Sequence, residues 1–102
     1  MSLQAAFIFL APDADAAKHH ATIRTQQVDL TVVGVANYGE AERVAKSLVG
    51  EGIVAVELCG GFGTAAAARI ARAVEGKAAV GVVRFDGHPG LAGKSGDAIF
   101  AG

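Results

Sequence analysis

Apolar residues along the chain fall into four runs of strand length, residues 5–10, 28–36, 53–59 and 78–85. Within most of these runs the apolar residues are continuous rather than alternating, which is typical of strands covered on both faces. Pro12 follows the first run and ends it. The pattern therefore predicts a sheet whose strands are buried on both sides.

Two segments between these runs have the pattern of helices. Apolar residues recur at helical spacing over residues 41–49, after Asn37 as a candidate N-cap with Glu40 three residues on to complete a capping box. Gly50 and Gly52 are expected to end this helix. The second helix is predicted over residues 64–75, where four consecutive alanines favour helix formation.

Three other segments carry weaker signals. Residues 13–20 suggest a short helix capped by Asp13, residues 22–27 a polar connection, and residues 97–100 a short strand at the sheet edge. The chain has no internal repeat, linker or low-complexity tail. We therefore expect one domain over residues 1–102.

The order strand, helix, strand, helix, strand predicts βαβ crossovers and a mainly parallel sheet of four to five strands. The expected fold class is a small single-domain α/β protein of βαβαβ type. The alternative is a ferredoxin-like α+β fold with an antiparallel sheet. Its strands should alternate between apolar and polar residues, and most of the runs here do not.

Small residues dominate the composition: the 102 residues include 14 glycines and 22 alanines. Because alanine buries little apolar area, a core built from it is thin. We therefore expect the chain to complete its core by association as a homo-oligomer.

Charge and cysteine content exclude several classes of protein. A net charge of −1 provides no basic surface for nucleic acid. No apolar segment reaches the roughly 18 residues that a membrane span requires, and the chain does not start like a signal peptide, so a cytoplasmic protein is expected. A single cysteine excludes an internal disulfide and a zinc site of several thiolates.

Reactive side chains follow the strands of the predicted sheet. Asn37 comes after the second strand, Cys59 ends the third, and Arg84, Asp86 and His88 lie around the end of the fourth. Ligands of open parallel sheets bind beyond the carboxyl ends of the strands. The sequence therefore predicts a functional site at this edge.

A glycine-rich loop joins the third strand to the second helix, and it consists of Gly60, Gly61, Phe62 and Gly63. Glycines let the backbone approach a ligand, and the free N–H groups at the helix start favour an anion. We expect this loop, with Thr64, Arg84 and Asn37, to bind a small phosphate or carboxylate. The alternative is that the glycines only allow a tight turn and close packing.

Cys59 directly precedes this loop, where a helix N-terminus favours the nucleophilic thiolate. The backbone N–H groups that follow could then stabilise an oxyanion, with His88 as the base and Asp86 orienting it. The alternative is that Cys59 packs as a small buried apolar residue.

Glu57 is the one charged residue in its apolar run, where an unpaired buried carboxylate would be costly. We expect it to pair with Arg84, either as a structural contact or as one wall of the site. The alternative is an N/O metal site formed by Glu57, Asp86, His88 and either His19 or His20. None of these has a ligand spacing typical of metal sites, so no metal is predicted, and the cofactor is unknown.

Two stretches resemble the hallmark motifs of a family of short bacterial proteins of unknown function. They are residues 57–63 (ELCGGFG) and 80–90 (VGVVRFDGHPG), and residues 6–12 (AFIFLAP) are similar too. The resemblance covers nearly the whole chain. It implies a stand-alone bacterial domain and carries no activity or catalytic residue with it.

The residues therefore support two hypotheses. The first is binding of a small anionic metabolite at the strand carboxyl ends, with Cys59, Asp86, His88 and Glu57 as candidates for acid/base or thiol catalysis. The second is a non-catalytic binding or structural subunit of a homo-oligomer, whose helix over residues 64–75 packs against a partner.

Overall fold

The computed structural model describes residues 2–83, 85 and 88–102. The chain forms a five-stranded sheet and two α-helices, followed by two single-turn 3-10 helices, Pro89–Leu91 and Gly96–Ala98. The strands are β1 (Leu3–Leu10), β2 (His20–Arg24), β3 (Val28–Val35), β4 (Ala55–Leu58) and β5 (Ala79–Val82). The helices are α1 (Tyr38–Gly50), between β3 and β4, and α2 (Thr64–Ala73), between β4 and β5.

The strand order in the sheet is β2-β3-β1-β4-β5. β3, β1, β4 and β5 are parallel, while β2 pairs antiparallel with β3 at one edge. This confirms the α/β fold with a mainly parallel sheet. The ferredoxin-like alternative is wrong, because the long central pairs run in the same direction.

The start of α1 agrees with the capping pattern in the sequence. The Asn37 side chain accepts a hydrogen bond from the Glu40 backbone N–H at 2.9 Å, which confirms Asn37 as the N-cap. The Glu40 carboxylate in turn accepts from the Ala36 N–H at 3.0 Å. The chain turns into the next strand at Gly52, whose φ of +107° suits glycine.

The segment between β1 and β3 differs from the prediction. Residues 13–19 form turns and connecting segments rather than a helix, and His20 already belongs to β2. The Asp15 side chain accepts a hydrogen bond from the Ala17 N–H at 2.9 Å and holds a local turn. The polar connection expected over residues 22–27 is wrong over its first half, which belongs to β2. An edge strand that is half polar contains no continuous apolar run, so the hydrophobic pattern does not predict it.

The end of the chain also differs. The edge strand expected over residues 97–100 is wrong, because the chain forms the 3-10 helix Gly96–Ala98 there. Ser95 caps it by accepting from the Asp97 N–H at 3.1 Å, and the Phe100 N–H bonds back to the Gly96 carbonyl at 2.8 Å.

The core lies between the sheet and the two helices. Ala6, Ile8, Val33, Val56 and Leu58 are buried on the covered side of the sheet, which we call the helix face, and residues of both helices pack against them. Many of the helix residues in this cluster are alanines, as the composition suggests. In the ranges that the structure describes, no helix has the length and apolarity needed to cross a membrane.

The other side of the sheet, the open face, follows from strand register, since paired residues point to the same side and alternate along each strand. It consists of Leu3, Ala5, Phe7 and Phe9 of β1, Ala21 and Ile23 of β2, Val28, Leu30, Val32 and Gly34 of β3, Ala55 and Glu57 of β4, and Ala79 and Gly81 of β5. No member belongs to the buried core cluster of the described chain, and among them only Ala5 and Gly34 are buried. The expectation of strands covered on both faces is therefore wrong for this chain by itself.

Candidate functional site

The carboxyl edge of the sheet is closed by the C-terminal segment. The Asp97 carboxylate accepts hydrogen bonds from the Tyr38 hydroxyl at 2.9 Å and from the Ala65 N–H at 3.1 Å. The same Tyr38 hydroxyl accepts from the Gly63 N–H, also at 2.9 Å. The C-terminal segment thus joins the first residues of α1 and α2.

Asp97 takes the position at which the sequence predicts a bound anion. Its carboxylate lies at the N-terminus of α2, where the N–H groups and the helix dipole favour negative charge. Thr64, the first residue of α2, is exposed beside it. Anion binding by this loop stays a prediction, and the carboxylate already in place opposes it.

The loop glycines permit close packing within the chain. A side chain at Gly96 would collide with the Gly61 carbonyl oxygen, and one at Gly63 would collide with the Asp97 carboxylate. The lack of a Cβ at both positions therefore lets the C-terminal segment dock against the loop.

Aromatic rings fill the remaining space around the loop. Phe62 is buried and stacks on Tyr38 with ring centroids 5.6 Å apart. The Phe85 ring lies against Gly60, where a Cβ would overlap it. The loop is thus packed by aromatic side chains on both sides.

Cys59 directly precedes Gly60, on which the Phe85 ring packs, and His88 packs against the same ring. Cys59 is half-buried, and its sulfur accepts the Gly61 N–H at 3.4 Å. The His88 ring is 4.7 Å from that of Phe85, and its Nδ1 accepts the Gly90 N–H at 3.0 Å, within its own turn. Nucleophilic catalysis by Cys59 with His88 as base stays a prediction.

Glu57 lies on the open face and is exposed, so the expectation of a carboxylate buried within the strand is wrong. The alternation of β4 turns Val56 and Leu58 to the core and Glu57 away from it. The predicted partner Arg84 and the predicted orienting residue Asp86 lie outside the described residues. Among the residues that are described, no three His, Cys, Asp or Glu side chains cluster as metal ligands would.

Tyr38 has a perturbed acidity that follows from this packing. Burial, with the Asp97 carboxylate adding to it, raises the pKa of Tyr38 to about 12. The unfolded chain loses this proton near pH 10, before the folded chain does, so the free energy of unfolding should fall between pH 10 and about 12. Denaturant titrations across that range should show the fall in the wild type. A Tyr38→Phe variant should lack this component, and an equal slope in both proteins would contradict it.

A groove of about 500 Å³ lies elsewhere, on the helix face between β2, β3 and α1. Its apolar lining consists of Ala16, Ala17, Val33, Val44, Leu48 and Ile53. Its polar lining includes Gln4, His20, Thr22, Arg24, Ser47 and Glu51. The groove opens where α1 leaves the outer strands of the sheet uncovered.

A hydrogen-bonded cluster lies at one end of this groove. The Asp29 carboxylate accepts from the Gln4 amide at 2.8 Å and from the Arg24 guanidinium at 3.3 Å. The bond from Gln4, reinforced by Ser2 and Arg24, lowers the pKa of the Asp29 carboxyl below its usual value. Arg24 is thus held in place through one nitrogen, with its side chain 71% exposed.

His20 lines the groove further along. Its Nδ1 lies 2.9 Å from the Ala16 carbonyl oxygen, which only accepts, so Nδ1 carries the proton in this contact. Nε2 is the remaining ring nitrogen, an acceptor in neutral histidine and a donor when the ring is protonated.

The sequence does not predict this groove, because residues 22–27 are polar and favour a connection rather than a strand. The signal that could have found it is the alternation over residues 20–24, in which His20, Thr22 and Arg24 share one side of an extended segment. That alternation predicts a strand with an imidazole, a hydroxyl and a guanidinium on one face.

Comparison with curated proteins and with solved structures gave no match. The sequence profile of a family described only as being of unknown function (DUF6506) matches residues 3–98. That match covers the glycine-rich loop, the groove and the whole sheet. The chain therefore belongs to this family of unknown function.

Proposed function

We propose that the protein binds a small molecule with an anionic head and an apolar body in the groove between β2 and α1. The observation that carries the proposal is the groove itself, where a partly engaged guanidinium borders an apolar floor. Its volume of about 500 Å³ lies within the range of ordinary small-molecule sites.

The donors for the anionic head are Arg24 and, when its ring is protonated, His20. A guanidinium has five N–H donors, and the bond to Asp29 uses one nitrogen of Arg24. Because Asp29 is also held by Gln4 and Ser2, the cluster keeps Arg24 oriented at the groove before a ligand arrives. A pre-oriented guanidinium suits a carboxylate or phosphate.

The apolar body would lie on the side chains of α1 and β3. Val44 and Leu48 of α1 are half-buried, and Val33 of β3 lies among the core residues. A ligand body of this kind covers apolar surface that water now contacts, which favours binding.

The carboxyl edge is less suited to an anion. Asp97 already places a negative charge at the N-terminus of α2, and the aromatic rings of Phe62 and Phe85 pack around the loop. A second anion there would have to displace the carboxylate that joins the two helices.

Phenyl phosphate is a suitable probe, since it combines an anionic head with an apolar ring. By calorimetry, Arg24→Ala should weaken its binding about tenfold, because a hydrogen bond to a charged group is lost. Glu51→Gln should tighten binding about twofold to fivefold, because it removes a like charge from the lining.

Arg72→Ala is the matched control, since Arg72 is an exposed arginine of α2 that does not line the groove. It should bind phenyl phosphate as the wild type does. Equal weakening by Arg24→Ala and Arg72→Ala would mean that net charge alone attracts the probe, and the proposal would fail.

A further inference from the structure

The open face is apolar over nearly its whole extent. Glu57 is its one charged residue, and Ile23 and Leu3 have 59% and 47% of their surface exposed. Phe7 and Phe9 are half-buried, and the Phe9 ring lies across Gly34 on the same face. A contiguous apolar surface of this extent marks an interaction site.

We propose that the open face binds the open face of a second copy of this chain. The resulting homodimer is isologous, with its two-fold axis parallel to β1. Each copy covers the apolar side of the other's sheet, so the strands become buried on both sides, as their continuous apolar runs predict.

The area of the face is sufficient for a stable dimer. Its five strands have eight, five, eight, four and four residues. At about 16 Å² of sheet per residue, each copy presents roughly 450 Å² of flat area. Accessible surface also counts the flanks of the side chains, so two copies together exceed the roughly 1,000 Å² that separates specific interfaces from incidental contacts.

Charge at the rim selects the direction of the axis. Lys18 and His19 border the open face beside Phe9, Ala21 and Val32, on the β2 side of the sheet. Glu57 lies on the opposite side of β1, on β4.

A two-fold axis parallel to the strands places the β2 side of one copy over the β4 side of the other. It therefore brings Lys18 and His19 of each copy towards Glu57 of its partner. An axis perpendicular to the strands would place the β2 side of one copy over the β2 side of the other. Both Glu57 carboxylates would then lie away from Lys18 and His19 of the partner copy.

The test is the mass of the full chain by sedimentation equilibrium. The wild type should have twice the chain mass of 10.2 kDa. Ile23→Glu, at an exposed position of the open face, should raise the dimer dissociation constant about 100-fold, because a charge is buried against apolar surface. Ile99→Glu is the matched control, since Ile99 is 48% exposed outside the open face, and it should leave the mass unchanged.

Charge reversal tests the direction of the axis. Glu57→Lys and Lys18→Glu should each weaken the dimer severalfold, and the double variant should recover most of the wild-type affinity. If the double variant loses as much free energy of dimerisation as the two single variants lose together, the proposed axis is wrong.

Two other results would overturn the proposal. One is a wild-type chain that stays at 10.2 kDa at all concentrations. The other is a dimer that survives Ile23→Glu but dissociates with Ala68→Glu, on the exposed side of α2, which would move the interface to that helix. If Ile23→Glu alters the circular dichroism spectrum, Ala21→Glu repeats the test at another exposed position of the same face.

Discussion

Replacing Asp97 with alanine should lower the free energy of unfolding by about 3 kcal/mol, the loss of two hydrogen bonds to a carboxylate at a helix N-terminus. The variant leaves the buried Tyr38 hydroxyl without its acceptor and the Ala65 N–H without its cap. For a chain of this length the expected fall in Tm is about 12 to 20 °C. Denaturant and thermal unfolding at matched protein concentration measure both quantities.

Two variants serve as controls for this prediction. Asp97→Asn keeps one oxygen acceptor and should lose about half as much stability as Asp97→Ala. Asp13→Ala removes an exposed aspartate from a turn and should change the unfolding free energy by less than about 0.5 kcal/mol. If Asp97→Ala were as stable as Asp13→Ala, Asp97 would not hold the C-terminal segment in place.

Replacing Gly96 with alanine should destabilise the chain by a similar amount, about 3 kcal/mol. The added Cβ would collide with the Gly61 carbonyl oxygen, a backbone atom that cannot rotate away as a side chain could. The C-terminal segment would then withdraw from the loop, and Phe100 would lose its buried position. Denaturant unfolding measures the loss, and proteolysis near the C-terminus should become faster.

Gly50→Ala is the control for the glycine substitution. No atom of the described residues lies within 4 Å of a Cβ at Gly50, and an alanine in α1 should be neutral or stabilising by up to about 1 kcal/mol. Because Gly96 and Asp97 dock the same segment, Gly96→Ala combined with Asp97→Ala should cost less than the two single changes added together. Full additivity would contradict a shared docking role.

The elements set by local sequence could be predicted. The capping pair of Asn37 and Glu40 fixes the start of α1, because the bonds involved span only a few residues. The alanine run likewise predicts α2, since helix propensity is a local property.

β2 could not be found in the same way. It is exposed throughout, and its place in the sheet comes from pairing with β3 rather than from an apolar run. An edge strand of this kind forms because it pairs with a neighbouring strand in the folded chain. The hydrophobic pattern of its own residues does not indicate that pairing.

The group that occupies the carboxyl edge of the sheet could not be predicted from local sequence either. The glycine loop has the composition of an anion site, and the start of α2 that follows it does bind a carboxylate through the Ala65 N–H, but the carboxylate belongs to Asp97. Ala65 and Asp97 are 32 residues apart in sequence, and only tertiary docking brings them together. A composition that suits a ligand can therefore equally suit a segment of the same chain.

Glu57 shows that an apolar run does not by itself indicate that every residue in it is buried. The apolar run around it suggested burial on both sides of the strand, whereas the described chain covers only the helix face. The proposed dimer through the open face would cover the apolar residues that the single chain leaves exposed there.

Mapping where phenyl phosphate binds, by changes in backbone amide NMR shifts, tests the location of the site most directly. We expect shifts to concentrate in residues 20–24, 31–33 and 44–53, which border the groove, with little change in residues 60–65. Benzyl alcohol, which lacks the anionic head, should cause much smaller shifts at the same concentration. Shifts centred on residues 60–65 with the groove unaffected would contradict the proposed function and return the site to the carboxyl edge.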